Sequence, residues 1–481
     1  MNPPLTQFRL GRAASCLEAG FRVGLVLFLL TASLALAQVP SDLPPELRSK
    51  IDVAAGQILA ARGTPSASIA VAQDGRIAYV QAYGDARLDP RTPATPGMRY
   101  SIGSISKQFA AAAILMLAEQ GKLSLEDPVG RFVPDVTRAQ DITIRQVLSH
   151  TAGYQDYWPQ DYVPRGMLEP VSPDKILDRW ARKPLDFDPG TDWQYSNTGY
   201  TVAGLIVERV SGQPLFEFLQ QHVFAPLAMQ SASNVDQDTL SENDATGYTR
   251  YGLGPLRVAV KEGKGWLFAA GELAMTAEDL AKWDLSLIHQ TLLKPASYRE
   301  MESAIVLKNG LASSYGLGVS MGRRYSHRLI SHDGAVSGFT SYNMVFPDDG
   351  AAVVVLTNDD VAYAGGDIAQ TIAPLLFPQG DDTKEEQQAL RVFQDFQKGR
   401  IDRGLFSDNA NFYFSDQSLK ELAAGLKRLG KPLSFTQTFR QERGGMTYRA
   451  FVVKFKRKTL QIGQRTLPDG KIEQYQVSAS E

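Results

Sequence analysis

Ser104 and Lys107 stand three residues apart at the head of an apolar run, a spacing that puts a hydroxyl and an amine on one helix face. From Gln108 to Gln120 the chain is almost all Ala, Ile, Leu, Met and Phe, and Gly121 closes the run as a helix C-terminus. A helix apolar all round is a buried one, and an unpaired charge near its start is costly. Chemistry accounts for a lysine placed there. It lies beside the Ser104 hydroxyl, and the positive end of the helix dipole favours an oxyanion formed at that point. This is the arrangement of a nucleophilic serine. A second Ser-x-x-Lys, Ser172 to Lys175, reads as structure, because Pro173 at the first helical position makes Ser172 a cap.

A serine nucleophile needs a base, a group to hold the lysine and an oxyanion site, and three segments offer them. In Tyr195-Ser196-Asn197, after the turn Asp188-Pro189-Gly190, Tyr195 can take the serine proton if Lys107 lowers its pKa, and Asn197 can hold Lys107. The bland alternatives are a core tyrosine and an N-cap asparagine; Ser/Tyr-x-Asn also occurs at Ser241, Ser341 and Ser407. In Ser331-His332-Asp333-Gly334-Ala335, His332 ends a strand-like run and is expected to point into a cleft, with Gly334 beside it. The Ala335 and Ser104 amides together can form an oxyanion hole. In Leu148 to Tyr154, followed by Tyr157, Trp158 and Tyr162, the aromatics Tyr154, Tyr157 and Trp158 suggest a pocket wall, while His150 reads as structural.

The elements that must position these groups follow from pattern. Asp42 to Arg62 reads as an amphipathic helix. Ala67–Gln73 and Arg76–Gly84 read as strands around the hairpin turn Asp74-Gly75. A helical middle runs to about Ala296. Strand character returns at Tyr315–Met321, Arg328–His332, Thr340–Phe346 and Ala351–Thr357. The expected packing is an α+β one, an antiparallel sheet flanked by helices with an all-helical insertion. Leu376 to Thr383, with Pro378 and Gly380, reads as a linker. Two helices, near 384–398 and 416–429, and four strands then make a small α+β module. The expected boundaries are a signal peptide at 1–37, a main domain at 38–378, a linker at 379–384 and a C-terminal domain at 385–481.

The N-terminus carries Arg9, Arg12 and Arg22 before the apolar run Val23–Leu36, with Ala35-Leu36-Ala37 as a small-x-small cleavage site. The expectation is export to the periplasm or outside, with no stable membrane insertion after cleavage; an uncleaved anchor is the alternative. The only cysteine, Cys16, precedes that run, so the mature chain has no thiol chemistry. Five scattered histidines without a His-x-x-His pair predict no metal site, and no nucleotide-binding loop predicts a cofactor. A net charge of −2 gives no case for nucleic acid.

The order Ser104-x-x-Lys107, Tyr195-x-Asn197, His332-x-Gly334 resembles the serine β-lactamase-like superfamily, nearest its class C β-lactamase, D-aminopeptidase and family VIII carboxylesterase branch. The stretches Ile142–Gly153 and Ala270–Leu280 also look like that family, and the resemblance spans roughly Ile51 to Pro374. It implies an α/β sandwich beside a helical subdomain. It also implies Ser104 as nucleophile, Lys107 and Tyr195 as the base pair, Asn197 as orienter and His332 on the opposite wall. Where relatives carry Lys-Thr-Gly, this chain has His332-Asp333-Gly334. A partly charged histidine beside Asp333 disfavours a carboxylate-bearing substrate.

The expectation is therefore an exported serine hydrolase of ester or amide bonds, acting on a small molecule or peptide. A D-amino-acid peptidase or a weak β-lactamase is the runner-up. A catalytically idle scaffold is the alternative of another class, and the C-terminal domain is a candidate for binding an envelope partner.

Overall fold

The protein is described here by a computed structural model covering residues 43–160, 162–324, 327–377 and 382–479. The expected signal segment, 1–37, and residues 379–381 of the expected linker lie outside the described residues.

The principal elements run α1 (Pro45–Arg62), β1 (Ser66–Gln73), β2 (Arg76–Leu88), β3 (Arg91–Pro93), α2 (Ser106–Glu119), α3 (Asn197–Ser211), α4 (Ala277–His289), β4 (Ser320–Arg324), β5 (His327–Val336), β6 (Phe339–Phe346), β7 (Ala351–Thr357) and α5 (Ala364–Ile372). The seven strands form one antiparallel sheet in the order β3-β2-β1-β7-β6-β5-β4. The apolar continuity of β1 and β7 follows from burial on both faces. Ile69, Val71, Val353 and Val355 pack against α1 and α5. Their alternates Ala70, Ala72, Val354 and Leu356 face the opposite core with α2 and α4. Asp74 and Gly75 take φ of 53° and 72°, the two positive values a two-residue hairpin needs.

The helix α2 is buried on every side from Ser106 to Leu117. It is the axis on which sheet and helical subdomain meet. Phe109 stacks near Trp283 of α4 (4.6 Å) and Phe224 (5.6 Å).

Two differences from the pattern reading matter for the site. Tyr315–Met321 is not a strand: β4 begins at Ser320, and Tyr315 makes only an isolated bridge to it. Gly316 and Gly318 draw this segment against the carbonyls of Met301 and Lys107, where an added Cβ would lie 2.2 and 2.8 Å away. Strand β5 continues past His332 to Val336, but its pairing with β4 stops at Ser331 opposite Ser320. From His332 onward that edge of β5 is left to the loop before α2. A third sheet, unforeseen, joins Tyr100–Ser101, Leu273–Met275 and Ser233–Asn234. Strands this short carry no readable period.

The C-terminal residues hold their own core, with Phe393, Phe396, Phe451, Ile462 and Tyr475 among its members. It lies between three helices (Asp382–Gln397, Asp408–Tyr413, Asp416–Leu426) and a four-stranded antiparallel sheet. Among the described residues no helix is long and apolar enough to cross a membrane.

Candidate active site

A 3-10 turn, Gly103–Ile105, leads into α2 and carries Ser104 at its centre. Gly103 has φ 51°, and a Cβ there would sit 2.8 Å from the Ala335 amide nitrogen. The Ser104 turn and the Ala335 backbone thus approach closely because neither side has a side chain in the way. Lys107 is fully buried. Its Nζ contacts Ser104 Oγ at 3.0 Å, Asn197 Oδ1 at 2.8 Å and the Ala270 carbonyl at 2.8 Å. Burial lowers its pKa to about 7, against the opposing pull of the Asp156 and Asp333 charges. Near neutrality a substantial share of Lys107 is therefore free amine.

Ser196 caps α3, its Oγ accepting from the Gly199 amide at 3.2 Å. Asn197 is the first helical residue, so its side chain is left for Lys107. The ring of Tyr195 lies 4.8 Å from Lys107 Nζ, and its hydroxyl is bonded to Ser104. The expected lowering of the Tyr195 pKa is corrected here: burial raises it well above its ordinary value, outweighing the Ser104 bond. A lysine that is only partly protonated offers limited charge to stabilise a phenolate, and burial keeps Tyr195 protonated.

His332 also departs from expectation. It does not open into a cleft but is 4% exposed. Its Nδ1 meets the Asp333 carbonyl, which can only accept, so the proton sits on Nδ1 and Nε2 accepts from the Tyr315 hydroxyl at 2.8 Å. Burial pulls its pKa down to about 4, leaving it neutral near physiological pH. Asp333 alternates to the other sheet face, where it lines a cavity of about 180 Å³ with Tyr342, Gly366 and Asp367.

Gly334 is pressed against the Ser104 turn. An added Cβ would lie 2.0 Å from the Ile102 carbonyl and 2.4 Å from Ser341 Oγ, which donates to that same carbonyl at 2.7 Å. Gly334→Ala is therefore expected to push β5 away from Ser104 and cut turnover roughly a hundredfold, at a stability cost of about 1–3 kcal/mol. Steady-state kinetics on folded protein check this; wild-type turnover would mean that the Ala335 amide does not need this contact.

The aromatic segment serves the site less directly than expected. Tyr154 is buried with its hydroxyl on the Thr137 carbonyl, part of the helical core and not a pocket wall. Tyr157 is buried among Trp180 and Trp266, bonded to the Trp266 carbonyl. Trp158 is half-buried beside them. His150 accepts the Ser196 amide on Nδ1 at 3.1 Å, and its ring lies 4.3 Å from that of Tyr195.

Two groups in the site, Asp156 and Asn343, were not singled out from the sequence, and a third, the stretch Ala270–Met275, was noted only for its family likeness and without a role. Asp156 holds Asn197 from the side away from Lys107. The stretch Ala270–Met275 supplies a lysine acceptor at Ala270, a Leu273 amide bonded to Ser106 Oγ at 3.1 Å and a Leu273 carbonyl accepting from the Ile102 amide at 3.0 Å. Asn343, in one of the decoy Ser-x-Asn triplets, accepts from the His332 amide and from Gln108 Nε2, both at 3.1 Å, joining β5 to α2. Only spatial neighbours reveal these.

On that same stretch, burial first and then Asp236 raise the Glu272 carboxyl to about 8 from its ordinary 4.5. The folded state keeps a proton that the unfolded state releases, so its contribution to stability is present below pH 4.5 and lost as pH rises to about 8. Glu272→Gln is expected to gain on wild type across that window, on the order of 1 kcal/mol per pH unit. Thermal unfolding at pH 5 and pH 8 checks it: a constant difference between the two proteins would mean Glu272 is ionised in the fold.

The Beta-lactamase family profile matches residues 51–373. The chain is 26% identical over 362 residues to Penicillin-binding protein 4* of Bacillus subtilis, covering 72% of this chain and 78% of that protein. Its fold matches the octameric penicillin-binding protein homologue from Pyrococcus abyssi with a TM-score of 0.62 at 22% identity, over 90% of this chain and 96% of the other. It also matches the D-amino acid amidase from Ochrobactrum anthropi SV3 with a TM-score of 0.61 at 23% identity, over 69% and 98%.

Proposed function

The chain belongs to the Beta-lactamase family of serine hydrolases, and from that premise we propose that it cleaves esters or amides through an acyl-enzyme on Ser104. The observation that carries this reading is Lys107 Nζ, buried and held 3.0 Å from Ser104 Oγ. Neutral Lys107 takes the Ser104 proton as Oγ bonds to the substrate carbonyl carbon. The Ser104 and Ala335 amides receive the oxyanion. Tyr195, kept protonated, shares its hydroxyl with Ser104 and passes a proton to the leaving oxygen or nitrogen as the scissile bond breaks, taking a proton back from protonated Lys107 so that both return to their starting forms. Water then adds to the acyl carbon as Lys107 takes its proton, the bond from that carbon to Oγ breaks as Tyr195 gives Oγ a proton, and the proton on Lys107 passes back to Tyr195, which restores Ser104 and both partners.

The charge pattern supports a substrate class. His332 stands where many relatives hold a cation and is neutral here. A neutral His332 cannot pair with a substrate carboxylate, which favours uncharged or amine-bearing acyl groups over β-lactams. The likeness to a D-amino acid amidase makes D-amino acid amides the amide substrates to try first, beside short aryl esters. Export from the cell, proposed from the N-terminal apolar run, would place such substrates in the envelope or outside it.

The test is intact-mass analysis after exposure to a fluorophosphonate, followed by peptide mapping. A single adduct on the peptide bearing Ser104 supports the reading. A folded protein that takes no adduct, or takes it on another serine, overturns it.

A further inference from the structure

Among the described residues, Asp156 is the one charged side chain bonded to the Ser104–Lys107–Asn197 chain that the mechanism above leaves without a part. Its Oδ1 accepts from the Asn197 backbone amide at 3.0 Å, from Asn197 Nδ2 at 3.1 Å and from the Trp158 amide at 3.2 Å, and its Oδ2 accepts from Asn197 Nδ2 at 3.2 Å. The other end of the Asn197 amide, Oδ1, faces Lys107.

The hydrogen-bond inventory makes this orientation consequential. A neutral lysine amine has two N–H groups and one lone pair. Nζ has three neighbours: the Ala270 carbonyl, Asn197 Oδ1 and Ser104 Oγ. The carbonyl can only accept. If Asn197 also presents oxygen, both N–H groups are taken and the lone pair is left for the Ser104 proton. If the Asn197 amide turned over, its NH₂ would donate into that lone pair, and the base would be spent on a neighbour. Burial raises the Asp156 pKa, opposed by the Trp158 and Asn197 bonds and the Lys107 charge; in its ionised form the carboxylate cannot donate, so a turned amide would set its oxygen against the Asp156 oxygens.

We propose that Asp156 is a positioning residue which, through Asn197, aims the lone pair of Lys107 at Ser104. This rests on the reading of Ser104 and Lys107 given above. Asp156 belongs to the loop that also carries Tyr154 and Tyr157, so the helical subdomain reaches the nucleophile through this carboxylate. Other groups that act on Lys107 electrostatically or through its contacts are Asp333, His150, His332, Tyr195 and Tyr200. None of these is bonded to Asn197 in the structure.

The experiment is pre-steady-state acylation by a para-nitrophenyl ester over pH 5–10 in four proteins: wild type, Asp156→Asn, Asn197→Asp, and the double variant Asp156→Asn/Asn197→Asp. Asp156→Asn frees the amide to turn and is expected to slow acylation roughly tenfold to a hundredfold. Its acid limb should move to lower pH, because a negative charge near Lys107 is gone. In the double variant position 197 again presents only oxygen to Lys107, whichever way it turns. Acylation should recover at least about tenfold over Asp156→Asn, with the acid limb moved above that of wild type because the charge now touches the amine. A merely structural role predicts neither the recovery nor the opposite limb shifts. Wild-type acylation by Asp156→Asn overturns the proposal, and so does a double variant that melts like wild type yet recovers nothing. If the double variant does not fold, the limb of Asp156→Asn decides, an unmoved limb counting against the proposal. A wild type that takes no fluorophosphonate on Ser104 overturns instead the reading on which the proposal rests.

Discussion

Ser104→Ala is expected to lose ester and amide turnover by roughly a thousandfold or more while keeping the wild-type melting temperature within a few degrees. The first half follows from the chemistry. With Oγ gone no acyl-enzyme forms, and what remains is the electrostatic help of the Ser104 and Ala335 amides to direct attack by water. The second half follows from the geometry. Ser104 is only partly buried, in a 3-10 turn whose neighbours Gly103 and Ile105 make the packing contacts. The substitution costs the bonds from Lys107 and Tyr195, about 1 kcal/mol each. A folded Ser104→Ala protein with substantial turnover would remove Ser104 from the mechanism.

Lys107 is expected to leave its mark on both rate and pH. Lys107→Met, close in volume, should cut acylation roughly a hundredfold to ten-thousandfold, the range for a lost general base. It should cost little stability, since an apolar group in a buried position removes a desolvated amine. In wild type kcat/KM should rise with pH through about 7, where burial places the Lys107 pKa. The sign is fixed by the role: the amine must be unprotonated to accept from Ser104, so activity is lost on the acid side. His332 titrates near 4, too low to produce that limb, and Tyr195 is held too high. A flat profile between pH 5 and 8, or an acid limb retained in Lys107→Met, would assign the base elsewhere.

Much of this site is legible along the chain because its parts are local. Ser104 and Lys107 share a helix face through i, i+3 spacing, and an apolar helix containing a lysine advertises the burial that tunes it. Tyr195 and Asn197 announce themselves by preceding a helix start. The sheet is legible for a similar reason: β1, β6 and β7 carry their apolar runs and turn residues in sequence. The readings that fail are those depending on what faces a side chain. His332 sits in a sound strand pattern, but whether it meets solvent or the Tyr315 hydroxyl is set by a segment seventeen residues away. Tyr154 and Tyr157 look like a pocket wall because aromatic loop residues often are; here their hydroxyls are taken by the Thr137 and Trp266 carbonyls. The segment from Tyr315 has a strand's composition, yet Gly316 lets it pack on the Met301 carbonyl and Gly318 on α2 instead.

The sequence by itself therefore determined the architecture and brought out the candidate nucleophile with its lysine and most of the residues that meet around them, since periodicity, capping and spacing act within a few residues of chain. The tertiary structure alone decided protonation and direction: that burial brings the Lys107 pKa down to about 7 and keeps Tyr195 protonated, that His332 is neutral and turned inward, and that Asn197 meets Asp156 with its nitrogen and Lys107 with its oxygen. Those properties depend on burial and on partners from distant segments, and a pKa or an amide orientation has no value until the whole cage around it is closed.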